Sequence, residues 1–503
     1  MEQSSKLIRT LGLLSVVAFG LTNEIASGLF FVSTQIQGSA PGVGSFVPLL
    51  MIVGGVIIFI TVIAYRFYFS SGLVGAGGEY VMLSRSMNPG IAFVVTVLAW
   101  FGLTGSLGTL AYATPSFLAS AAQALGLTGL DAFFASTIGI LITGLIIVWG
   151  LYAIHVLGVR LAGILVVISM FLVLAVAVVM MAYGFATPPQ AFTHAVSAHL
   201  HLSAQAIALK APAPQSNARA AFETGLPTLF FGYLGLSTAT QTGGEAKNPV
   251  KSLSKAVLMI VALVTVVYTL FALAIYHAVP WRLIAGMTTM PHLSSYTTAS
   301  GLLQFVMPTW LAALINLFVA IIVIKTFLPI YLAQSRWVFA LSQDKLLPKA
   351  LGQTHSRYKT PVLALTISAI VGSISLIESL KMGFVFGVEV RVLSVMLVFF
   401  FLGVGMLTLP KHSPQLFRDN PSTMATRPVL RVAVAVLLMI IGLYFIVSIS
   451  LSSLSSPFIL QPLVQSAIVA GAAVIFYFVY KTRASSTDAK DEARIQFAEP
   501  PAQ

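Results

Sequence analysis

Runs of about twenty apolar residues recur from one end of the chain to the other, each long enough for a helix to cross the hydrocarbon core of a bilayer. Twelve such runs are read, centred in residues 11–35, 44–69, 91–122, 133–155, 159–184, 221–243, 256–280, 302–332, 361–378, 384–409, 430–453 and 461–480. A transmembrane β-barrel would alternate polarity over short segments, and these runs are too long and too uniform for that. Composition closes the soluble alternative: of 503 residues, 58% are hydrophobic and only 8% charged, well below the charge that a water-facing surface carries. The expected fold class is an all-α integral membrane protein of about 12 transmembrane helices.

A net charge of +13 and a pI near 9.9 could point to nucleic acid, so the placement of the basic residues decides. With the N-terminus inside, 21 Lys and Arg fall on inner segments, among them Lys6, Arg9, Arg85, Lys247, Arg336, Lys359, Lys490 and Arg494. Outer segments hold Lys210, Arg219, Arg282 and Lys381. Basic residues mark the cytoplasmic side, so both termini are expected in the cytoplasm of a multi-pass protein of the plasma membrane. The same asymmetry accounts for the pI without nucleic acid as a partner. No cysteine occurs, which excludes disulfides, zinc–thiolate sites, iron–sulfur clusters and a thiol nucleophile. The first apolar run has no small-residue cleavage site and continues too far for a cleaved signal.

The expected organisation is a cytoplasmic N-terminus (1–10), helices 1–5 (11–184), an outer loop (185–220), helices 6–10 (221–410), helices 11 and 12 (411–480) and a charged, disordered tail (481–503). The outer segments 185–220 and 278–301 are rich in Pro, Ser, Thr and Ala, as loops with short helices or gate elements would be.

Two apolar runs are interrupted at membrane depth, where lost backbone hydrogen bonds are tolerated only against protein or a water-filled cavity. The first carries Thr22-Asn23-Glu24-Ile25-Ala26-Ser27-Gly28; the sixth carries Phe231-Gly232-Tyr233-Leu234-Gly235, followed by Ser237, Thr238, Thr240 and Gln241. These positions are equivalent if spans 1–5 and 6–10 are repeats. Five is odd, so the second unit would be inverted relative to the first. Paired breaks in inverted repeats mark a transporter's central site, although glycine and serine also serve close helix packing.

At these residues the chain resembles the amino acid/polyamine/organocation (APC) superfamily and its amino acid permeases. The motifs are Ala26-Ser27-Gly28-Leu29-Phe30 in the first span, Glu245-Ala246-Lys247-Asn248-Pro249 after the sixth, LVGAGGEYVMLSRSMNPG at 73–90 and SRWVFALSQDKLLPKALGQTHSRYKTPV at 335–362. The resemblance runs from about residue 6 to 410. It implies a five-plus-five inverted-repeat, LeuT-type core with helices 1 and 6 broken, and secondary active transport of amino acids or related amines by alternating access. Carried over by position, Ala26, Ser27 and Gly28 would hold the substrate carboxylate, with Asn23 and Ile25 beside them. Phe231, Gly232, Tyr233, Leu234, Gly235 and Ser237 would line the amino group and side-chain pocket, Phe231 as a gate or as plain packing. The sequence departs from the family pattern at Glu24, usually apolar, and at Ser237, where many members carry an acid.

Charges at bilayer depth cost at least about 2.5–3.5 kcal/mol on insertion scales and normally face a cavity or a partner. Glu24, Lys325, Glu389 and Arg391 qualify. Lys325 is expected as a built-in cation beside the first helix, with or without pairing to Glu24, and the two are the candidates for proton coupling; a static buried pair is the alternative. Glu389 and Arg391, two residues apart, point to different faces and are expected near the outer mouth, as interfacial anchors first and as cavity-polarity or external-gate residues second. Glu79 and Glu245, near Arg85 and Lys247, are expected in inner ion pairs. The histidines at 194, 199 and 201 match no metal signature and read as loop residues.

The leading function is a secondary transporter of an amino acid or related small amine, coupled to protons or to exchange, with a neutral substrate of modest size. An inorganic-cation transporter, such as one for potassium, is the alternative on the same fold. No phosphate-cradling motif and no catalytic cluster occurs, so neither ATP drive nor enzymatic activity is expected. The partners are a small molecule and the lipid bilayer; no cofactor and no metal is called for.

Overall fold

The computed structural model describes residues 9, 11–26, 28–40, 43–213, 218–358 and 360–483. Lys6, Ser27, Lys359, Lys490, Arg494 and nearly all of the expected tail lie outside the described residues. The described chain is helical, and a lone parallel bridge between Leu11 and Ala246 is the one strand-like contact among those residues.

Among the described residues, eleven helices are long and apolar enough to cross a membrane. The expected sixth does not qualify as one helix because it is two: Ala218–Phe230 and Leu236–Gln241, joined through a short 3-10 turn at Phe231–Tyr233. The first span is also divided, Leu13–Glu24 giving way to a π segment at Gly28–Val32 and then Ser33–Ser39. The remaining spans are Val47–Ser70, Pro89–Ala124, Thr137–Val156, Val159–Ala186, Pro249–Ala278, the pair Thr309–Lys325 and Phe327–Gln343 that makes the eighth, Val362–Met382, Phe384–His412, Pro428–Ser452 and Pro462–Arg483. Large apolar side chains such as Ile146, Phe171, Ile440 and Ile475 stand exposed on the outer faces, as a lipid-solvated bundle requires.

Exchanging spans 1–5 for spans 6–10 reproduces the packing. The first span touches the sixth, the second the seventh, the third the eighth and the fourth the ninth. Other contacts come in exchanged pairs: span 1 on 7 and 6 on 2, span 5 on 8 and 10 on 3, span 3 on 9 and 8 on 4. With five helices in each unit, this is the inverted-repeat LeuT-type core. Span 11 packs on span 10, and span 12 on spans 3 and 10, outside the repeat.

The two long connecting segments carry short helices, Pro189–Leu200 and Ala204–Ala208 in one, Trp281–Thr288 and Ala299–Leu303 in the other. They pack on each other, with Gly286 lying directly against the carbonyl of Ile207.

Candidate functional site

Helix termini leave carbonyl and amide groups without intrahelical partners, and the broken first span ends inside the bundle. Ile25 leaves the helical conformation at φ −79 and ψ 87. The carbonyls it strands are met by two side chains from elsewhere. Lys325 donates its ammonium to the Thr22 carbonyl and lies 3.5 Å from that of Ile25. Tyr268, in span 7, donates to the Glu24 carbonyl at 2.5 Å and lies 3.1 Å from that of Gly232, so one hydroxyl spans both breaks. Lys325 reaches this place because the eighth helix parts beside it: Pro329 has no N–H to offer the Lys325 carbonyl, and the helix ends at Lys325 and resumes at Phe327.

Glycine lets the two breaks meet. A Cβ on Gly28 would lie 2.5 Å from the Gly232 Cα. One on Gly235 would lie 2.5 Å from the Glu24 nitrogen. Between the breaks is a cavity of about 20 Å³ lined by Asn23, Glu24, Gly28, Phe231, Leu234, Gly235, by Leu103, Ser106 and Leu110 of span 3, by Thr326 and Ile330 of span 8, and by Arg391 of span 10.

Six of the expected site residues thus share one cavity wall. The other described ones stand behind it. Ile25 and Ala26 are buried, and Tyr233 turns away to donate to the Met51 carbonyl at 2.5 Å. Gly232 offers its carbonyl to Tyr268, Ser237 lies under Arg391 at 3.3 Å, and Ser27 lies outside the described residues. Phe231 is half-buried on the cavity wall.

One open question about buried charge is answered and one expectation is corrected. Glu24 and Lys325 do not pair: the ion pairs among the described residues are elsewhere, and no side chain hydrogen-bonds the buried Glu24 carboxyl. Lys325 is drawn instead to backbone carbonyls, which a helix end offers without any acidic residue to signal it. Arg391 is no interfacial anchor. It is 2% exposed, donates to the Leu234 carbonyl at 3.2 Å and presents Nη1 with no partner. Its neighbour Glu389 points the other way, toward Ser452 of span 11.

One end of the bundle is closed by the segments whose motifs carried the family resemblance. Arg336 pairs with Glu245 at 2.5 Å, and Arg85 pairs with Asp344 at 2.5 Å, with Tyr80 donating to the same carboxylate at 2.6 Å. Leu11 and Glu245–Lys247 exchange two backbone hydrogen bonds of 2.9 Å, tying the start of span 1 to the end of span 6. Both acids therefore have partners other than their sequence neighbours. Glu79 and Arg85 lie six residues apart on one helix, which puts them on different faces. Glu79 instead accepts from Tyr65 at 2.8 Å and Gln241 at 2.7 Å, with Thr240 at 3.1 Å. Burial raises its carboxyl above the usual carboxylate range, against the opposing effect of these hydrogen bonds.

Tyr268, Thr326 and the wall from span 3 were not anticipated. Span 3 offered a signal in the small residues of Gly102-Leu103-Thr104-Gly105-Ser106; Tyr268 offered none beyond being a tyrosine in an apolar run.

A model of the amino acid permease family matches residues 11–472. The chain is 27% identical over 194 residues to a branched-chain amino acid permease of Bacillus subtilis, covering 38% of each chain. It is 26% identical over 381 residues to an uncharacterised transporter of Mycobacterium bovis, covering 74% of each. It is 30% identical over 146 residues to a methylthioribose transporter of Bacillus subtilis, covering 29% of this chain and 30% of that one. The chain is a multi-pass membrane protein that belongs to the amino acid permease family of the APC superfamily.

Proposed function

We propose that the protein is a secondary active transporter that carries an amino acid or related small amine across the plasma membrane by alternating access, coupled to protons or to exchange. Both termini and the ion-paired end are cytoplasmic in this reading, following the basic residues. The observation that carries it is the meeting of two broken helices, Gly28 against Gly232, around a cavity that holds polar and charged groups at membrane depth. Half-helix N-termini favour an anionic group, and half-helix C-termini and unwound carbonyls a cationic one. Ala26, Ser27 and Gly28 are assigned to the carboxylate side, Asn23, Ile25 and Phe231–Ser237 to the rest of the substrate, and Phe231 to the gate.

A cavity of about 20 Å³ holds little more than one water, so an amino acid enters only when the wall moves. Lys325 occupies the carbonyls that a bound cation would otherwise take, which speaks against the inorganic-cation alternative and keeps Lys325, with Glu24, as a candidate for proton coupling. Uptake of labelled amino acids and amines into proteoliposomes, with and without an inward proton gradient, tests the reading. Saturable uptake of at least one of them is expected. Potassium flux with no amino acid or amine flux would overturn it.

A further inference from the structure

The cavity's polar complement is more specific than the broken backbones alone require. Among the described residues that line it, the charged ones are Glu24 and Arg391, one of each sign. Each is 2% exposed, and they are not ion-paired to each other. No side chain hydrogen-bonds either oxygen of Glu24 or the Nη1 of Arg391, and the Glu24 carboxyl has only the Leu236 backbone N–H beside it. Arg391 has its Nη2 on the Leu234 carbonyl and the Ser237 hydroxyl, which fixes the guanidinium in the wall of the sixth-span break. Of the nearby charges, Lys325 is engaged with the Thr22 carbonyl, and Glu79, held by Tyr65 and Gln241, attracts Arg391 from a distance without an ion pair or hydrogen bond to it.

A buried charge without an ion-pair partner in contact is costly, and two opposite ones in a common cavity are matched by a ligand that carries both signs. We propose that Glu24 and Arg391 are the specificity-determining side chains of the site: Glu24 takes the ammonium and Arg391 the carboxylate of a net-neutral zwitterion. The inference rests on the transporter reading above and narrows its substrate class. An acidic amino acid would bring an anion with no counterpart in the wall, a basic one an uncompensated cation, and a simple amine would leave Arg391 unmet. The carboxylate thereby has a side-chain partner on span 10 in addition to the amide groups of the first break.

The test uses purified full-length protein in proteoliposomes and measures uptake of L-alanine, L-valine and L-leucine, with competition by L-glutamate, L-lysine, the amine left by decarboxylating each neutral amino acid and the corresponding α-oxo acid. Neutral amino acids are expected to be taken up, with the charged amino acids, amines and oxo acids competing at least about 30-fold more weakly, the scale of losing one partner of a buried charge pair. In Arg391→Gln the amino acid is expected to fall to the level of its amine, whose own weak competition stays unchanged. In Glu24→Gln it falls to the level of its oxo acid. If Arg391 only caps the Leu234 carbonyl, Arg391→Gln weakens amino acid and amine alike and the proposal fails while the transporter reading stands. Preference for glutamate or lysine in the wild type also overturns it. Absence of any amino acid or amine uptake overturns both.

Discussion

A methyl group on residue 28 has nowhere to go. Its position lies 2.5 Å from the Gly232 Cα and 3.1 Å from the Tyr268 hydroxyl, and backbone cannot give way as a flexible side chain would. Gly28→Ala is expected to push the two breaks apart at a cost of about 1–3 kcal/mol, lowering the melting temperature in detergent and removing transport. An unchanged melt and flux would mean that the breaks do not meet in this way. Glu79 makes a second prediction at this scale. A carboxyl raised by burial binds its proton more tightly in the folded protein than in the unfolded one. The stability it contributes is therefore complete below the ordinary value of 4.5 and is lost as pH rises from there through its own raised value. Glu79→Gln should flatten the melting temperature across that window, read from melts at a series of pH values; an identical slope in the variant would refute the assignment.

Helix by helix, the ion-paired end acts as one closure. Arg336 with Glu245 ties span 8 to the end of span 6, and Arg85 with Asp344 ties the loop after span 2 to span 8. Removing one partner from a buried pair costs about 3–5 kcal/mol. Glu245→Ala is thus expected to favour the state open at this end. The chain has no cysteine, so a Ser237→Cys reporter can be labelled without background; the prediction is faster labelling from the side of the ion-paired end when Glu245→Ala is added, and equal rates would contradict it. The closure was largely legible in the sequence, since the motifs at 73–90, 245–249 and 335–362 supply all four charges. The pairing was not, because helical phase, not proximity in the chain, selects Asp344 over Glu79 for Arg85. The breaks were legible as Gly, Ser and Asn interrupting apolar runs. The bonds that stabilise them were not: Lys325 and Tyr268 act on backbone carbonyls, and a carbonyl leaves no trace in residue type. Arg391 announced itself as a charge in the membrane, but only the packing of span 10 on the sixth-span break turned it toward the cavity.

Across the whole molecule, the inverted repeat explains why the site lies where it does. Two units of opposite orientation each contribute one broken helix, and the breaks coincide at the centre because the first span packs on the sixth, as the second does on the seventh and the third on the eighth. The third and eighth spans, also counterparts, close the cavity from the sides. Access from either face then requires movement of the walls around a fixed centre. The central claim is that the transported molecule binds between the breaks. Asn23 lines the cavity, and in this cysteine-free chain an Asn23→Cys variant that retains uptake reports on it directly through its rate of reaction with a small membrane-permeant maleimide. The account predicts that a transported amino acid slows the reaction in proportion to its occupancy; a rate unaffected by saturating amino acid, in a variant that still transports it, would place the binding site elsewhere.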